Sequence, residues 1–195
     1  MKSRWAWLPL ALVYLRGLLI LPIVLILVWQ VNEVWLLVCL FIGLISDIFD
    51  GIIARRIGVA TTSLRRADTI VDTFFFSAIV IAAGMTHPEP FQKYFVGLVI
   101  LIALKVVRIL FDYLKYGREA AYHMWSTKLW GIAVFLALAM LWLGAPTDGI
   151  FVFTILLGIV TNLEGLLASI ILPTWQHDVP SLVHAFKLRN GAVVQ

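Results

Sequence analysis

Six apolar runs, each close to the ~20 residues a helix needs to cross a bilayer, fill most of this chain. They fall at roughly 10–31, 34–53, 67–85, 91–111, 127–144 and 150–172. Of the 195 residues, 62% are hydrophobic and only 13% are charged, with a mean hydropathy of +0.99. A water-soluble surface of this size could not be built from so little polar material, which excludes an ordinary soluble domain. The expected fold is therefore all-α: a polytopic integral membrane protein with six transmembrane helices, read as a single domain over residues 1–195. The lone Cys39 lies inside an apolar run and is expected to pack rather than pair.

Where the bases lie orients the helices. Lys2, Arg4, Arg55, Arg56, Arg65, Arg66, Lys115, Arg118, Lys128, Lys187 and Arg189 fall on one side of the six-span scheme, and Lys93 falls on the other. The positive-inside rule then places both termini, the second-to-third connection and the fourth-to-fifth connection in the cytoplasm. Trp29, Trp35 and Trp142 are expected as anchors at outer helix ends, and Trp5, Trp125, Trp130 and Trp175 at inner ends. The more polar tail, about 173–195, is expected on the membrane surface. No secretory leader is expected, because the apolar stretch after Met1–Trp7 runs on without a small-residue cleavage site.

Four of the eleven acidic residues crowd into positions 47–72, at the ends of two consecutive apolar runs. Asp47 and Asp50 are spaced i, i+3, and Asp68 and Asp72 i, i+4, so each pair projects from one helix face. Acids near or within membrane segments are costly unless paired, hydrated or bound to a cation. Two pairs converging from antiparallel helices make an all-oxygen site suited to a hard divalent cation that shares its shell with a phosphate. Gly51 leaves room for a ligand to approach the backbone, and Ala54 keeps the same region small. Arg55 can offer a forked donor to a phosphate. Simple pairing of the acids with the loop arginines is the blander alternative, but it would not require four carboxylates on two facing stripes.

These residues resemble the signature of the CDP-alcohol phosphotransferase family, Asp-x2-Asp-Gly-x2-Ala-Arg, about eight residues, Gly-x3-Asp-x3-Asp. Seven of the eight fixed positions match, through Asp47, Asp50, Gly51, Ala54, Arg55, Asp68 and Asp72; Leu64 stands where the family has its second glycine. Arg16 in the first run, the chain length and the six spans are also similar to the family. The resemblance implies that Asp47, Asp50, Asp68 and Asp72 bind Mg²⁺ or Mn²⁺, two ions, with Asp72 also the general base. It implies that Asp50, Gly51, Ala54 and Arg55 bind the nucleotide. The implied reaction moves a phosphatidyl (substituted phosphate) group from a CDP-alcohol, CDP-diacylglycerol above all, to an acceptor alcohol with release of CMP, in phospholipid biosynthesis. The implied setting is a homodimer in the inner cell membrane with its site facing the cytoplasm; no nucleic-acid partner is expected. A cation-binding transporter and a catalytically inactive family member stay open as alternatives.

Lys105, Arg108 and Asp112 share a face of the fourth run, and Lys128 opens the fifth. Lys105, Arg108 and Lys128 are candidates for binding the acceptor, against the alternative of snorkelling to headgroups or anchoring at the interface. Glu164, mid-way along the sixth run, needs a partner, for which Arg16 or Lys105 is expected. His87, His123, His177 and His184 lack metal-ligand spacing and are expected in loops and on the surface.

Overall fold

The structure, a computed structural model, describes residues 7–57, 62–120, 122, 124–176 and 179–190. The side chains of Gly51, Ala54, Arg55, Thr62, Ser63, Arg65, Arg66 and Thr69 lie outside that description, as do Lys2, Arg4, Trp5, the connection 58–61, His123 and His177. The described residues are helical with no strand: α1 Leu8–Leu18, α2 Ile20–Trp29, α3 Val34–Ile57, α4 Thr62–Thr86, α5 Pro88–Lys93, α6 Phe95–Tyr116, α7 Trp125–Trp142, α8 Asp148–Ile171 and α9 Leu182–Arg189.

The first apolar run is two helices rather than one. Pro22 has no N–H to give the Leu18 carbonyl, and its ring crowds that carbonyl, so the ladder breaks at Leu19. Helix α2 stops at Gln30, whose left-handed backbone (φ 50°) returns its N–H to the Ile26 carbonyl. The Asn32 side chain then accepts the N–H of Val34 at 2.9 Å and opens α3. The fourth run begins later than the expected 91, at Phe95, because Pro88 and Pro90 set off the short α5 first. Gly117 (φ 70°) closes α6.

Among the described residues, three segments are long and apolar enough to cross a membrane by length and composition: Leu8–Trp29 taken through the break, α7 and α8. Helices α3, α4 and α6 are long enough, but each carries several charged residues. Large apolar side chains face outward in quantity, among them Leu18, Val28, Phe74, Val96 and Leu114. An exterior of that kind suits lipid and not water.

The chain divides into two compact units, one running through Pro88 with Leu141–Ala145, the other holding Glu89–Met140 and the rest. In the first, α1 and α2 pack on α3 and α4 around Val13, Ile23, Leu36, Leu40, Phe75 and Ile79, all nearly inaccessible. Phe75 lies so close to α3 that a Cβ on Gly43 would meet its ring at 2.2 Å. Trp142, expected as a lipid-facing anchor, is buried instead, its indole N–H donating to Thr86 Oγ1 at 3.2 Å. The end of an apolar run looks the same whether its tryptophan meets lipid or protein. His87 lies in a connection, as expected, and there pairs with Glu33 at 2.6 Å.

In the second unit α6 packs along α8. The C-terminal carbonyls of α8 are capped from α6: Lys115 Nζ donates to Ser169 O at 2.7 Å, and the Tyr116 hydroxyl donates to the same oxygen at 2.8 Å. Asp112, fully buried, accepts from the Ala120 N–H at 3.2 Å and from the Ser169 hydroxyl, so it holds the fold. Tyr122 reaches Ser169 Oγ at 2.9 Å, and burial pushes its phenol above the usual range. The tail, expected on the membrane surface, packs on the end of α8: Val179 and Ala185 are fully buried against Ala168 and Leu172. Lys93 donates to Asp148 at 2.7 Å, an exposed pair that holds the ammonium pKa above its ordinary value.

Candidate metal and nucleotide site

The four aspartates meet at one point, and the group at that point is Arg16. Asp47 and Asp50 project from the second half of α3, Asp68 and Asp72 from the first half of α4. Arg16 comes from the last turn of α1 and is completely buried. Its Nη1 stands 3.4 Å from Asp47 Oδ1 and 3.1 Å from Asp68 Oδ1, and it also pairs with Asp72 Oδ1. Its Nη2 pairs with Asp50 Oδ2. The Nε is anchored by Ser46 Oγ at 3.3 Å, and Ser46 in turn donates to the Gly43 carbonyl at 2.8 Å. A single planar fork thus joins three helices through five side chains.

Burial across the cluster is graded. The Asp50 side chain is 6% exposed, whereas those of Asp72, Asp68 and Asp47 are 26, 32 and 38% exposed. One side of the site is therefore sealed by α1 and the other is open. One oxygen each from Asp47, Asp50 and Asp68 can be chosen so that all three lie within 4.8 Å of one another. Three hard oxygen donors at that separation fit a divalent cation that completes its shell with water or phosphate. Asp72 falls outside this trio although it shares Arg16. Gly51, Ala54 and Arg55 continue α3 past Asp50, so their backbone follows the acids; their side chains lie outside the described residues. Leu64 is half-buried in the first turn of α4. An open apolar groove of about 280 Å³ runs beside Ser46, lined by Leu12, Leu15, Ile42, Ile45 and Phe49.

A model of the CDP-alcohol phosphatidyltransferase family matches residues 6–163, through the first unit and well into the second. The chain belongs to this family. Among curated proteins and solved structures, none matches the chain. Membership makes the chain a transferase of phospholipid synthesis with a CDP-alcohol donor and an alcohol acceptor, and with the outward apolar helices it makes it a membrane protein. The family is generally metal-dependent, in keeping with the clustered acids.

The second unit separates the three bases nominated for the acceptor. Lys105 is exposed. Lys128 is exposed too and lies over the Trp125 ring at 4.4 Å, the arrangement of an interfacial anchor. Arg108 differs: its side chain is 18% exposed, crosses α8 where Gly165 leaves room, and reaches Glu119 at 3.4 Å. A Cβ on Gly165 would stand 2.9 Å from its Cδ. The Arg108 Nε and, on α8, the Thr161 hydroxyl are buried without a hydrogen-bond partner among the described residues. Glu164 is satisfied by the Ser126 hydroxyl and not by the expected arginine or lysine. Arg16 engages the aspartates and Ser46 through all three of its nitrogens.

The sequence pointed to the aspartates and missed what binds them together. An arginine inside the most apolar segment was a signal that intramembrane charge has a partner. Nothing local named which partner. Ser46 gave no signal at all.

Proposed function

We propose that the chain is a divalent-metal-dependent phosphatidyltransferase that uses CDP-diacylglycerol, with six helical segments spanning the inner membrane and its termini and site on the cytoplasmic side. The single observation that carries this reading is the convergence of four carboxylates from α3 and α4, three of them offering oxygens within 4.8 Å of one another. Asp47, Asp50 and Asp68 would hold Mg²⁺ or Mn²⁺, and Asp72 could join a second ion. When bound, such ions neutralise charge on the pyrophosphate. Arg55 would contact the pyrophosphate with its fork, while Gly51 and Ala54 let the nucleotide lie along α3. The apolar groove beside Ser46 supports a lipid-bearing donor, because it offers acyl chains a surface next to the acids.

In the reaction the acceptor hydroxyl oxygen forms a bond to the phosphorus carrying the lipid alcohol. The bond from that phosphorus to the CMP oxygen breaks, and the hydroxyl proton passes to Asp72. An alcohol is a poor nucleophile at neutral pH, so a carboxylate in reach of its proton is the part the protein must supply. Arg108, with its unused buried donor, is the acceptor contact we favour over Lys105 and Lys128. A transport path would spread its acids across the membrane; here they gather at one point. We also propose a homodimer, on the family resemblance. The test is CMP release from CDP-diacylglycerol by purified protein with Mg²⁺ across a panel of alcohols. Release with at least one acceptor is expected, and no release with any of them overturns the reading.

A further inference from the structure

We infer that Arg16 is a resident counter-cation of the carboxylate site, competing with divalent ions for the same oxygens. This rests on the reading that the aspartates hold such ions. The geometry behind it is the place of Nη1, which stands among Asp47, Asp68 and Asp72 at once. A cation bridging those carboxylates would take the same place. The guanidinium cannot retreat into solvent, because it is wholly buried and held from behind by Ser46.

Charge arithmetic gives the competition a direction. Four carboxylates and one guanidinium sum to a net charge of −3, whereas without the guanidinium the sum is −4. Removing Arg16 therefore frees oxygens and deepens the attraction for a divalent ion. It also removes the tie that draws the acids together. The first effect wins, because α3 and α4 are held at short range by the contact of Phe75 over Gly43, which does not involve Arg16. Arg16 accordingly stabilises the fold when no divalent ion is supplied, and it weakens and tunes binding when one is.

The experiment is Mn²⁺ titration of the full-length protein in detergent, followed by electron paramagnetic resonance, with melting curves in EDTA and in Mn²⁺. Arg16→Gln is expected to bind Mn²⁺ about tenfold more tightly. It should melt lower than the parent protein in EDTA and gain more from added Mn²⁺. Ser46→Ala keeps the charge and removes only the Nε anchor, so it should tighten binding by a smaller factor. If the parent protein binds Mn²⁺ and Arg16→Gln binds it equally or less well, this inference falls and the metal reading stands. If Arg16→Gln does not fold, Ser46→Ala decides, and unchanged or weaker binding overturns the inference. If the parent protein binds no Mn²⁺, the metal reading falls and takes the inference with it.

Discussion

The ring of Phe75 occupies the space in which a side chain on Gly43 would stand. That contact lies one helical turn from Asp47 on α3 and about one turn from Asp72 on α4, so this contact between the two helices lies close to the acids along both of them. Gly43→Ala should force the ring aside at a cost of about 1–3 kcal/mol. A lower melting temperature together with weaker Mn²⁺ binding is the expected result. An unchanged melting temperature would show that the ring has room to move.

Asp72→Asn keeps the shape of the side chain and removes its ability to take a proton. CMP release should fall by about 10²–10⁴-fold. Mn²⁺ binding should survive in large part, because the trio of Asp47, Asp50 and Asp68 is left intact. Normal turnover by this variant would remove Asp72 from the role of base.

The departure at Leu64 has its own experiment. Leu64→Gly restores the glycine of the family signature in the first turn of α4. The kcat/KM for the CDP-alcohol donor should rise, at a stability cost on the order of 1 kcal/mol for glycine in a helix. Unchanged kinetics would place Leu64 off the nucleotide path.

Arg108→Ala separates acceptor binding from chemistry. With a phosphorylated acceptor alcohol, KM should rise about tenfold or more while kcat changes less, as expected when a charge-assisted hydrogen bond is lost. An equal effect on acceptors with and without a phosphate would make Arg108 a structural residue of α6 that packs against α8.

What was legible in the sequence was local. The spacings of Asp47 with Asp50 and of Asp68 with Asp72 show their shared faces directly, because helical geometry ties neighbours three and four apart. The helices lie close to the apolar runs for the same reason. What joins distant segments was not legible. Arg16 is separated by 30 residues from Ser46 and by 52 from Asp68, and no periodicity spans such gaps. Gly43 reads as one more small residue in an apolar run until Phe75 is seen against it. Pro22 did announce the break at Leu19, but the uniform hydropathy on either side hid it. The inward turn of Trp142 and the return of the tail to α8 depend on partners 56 and about 17 residues away.

The burial of Arg16 also has a temporal side. During synthesis, α1 emerges before α3 and α4, and it carries a charge that costs about 2.5–3.5 kcal/mol near the middle of an isolated inserted helix. Its compensating carboxylates are added only as residues 47–72 are made. The first segment is apolar enough to tolerate that charge in the bilayer, so the cost is a burden it carries until its partners are made. The ion-pair cluster is complete only when the last of the aspartates arrives.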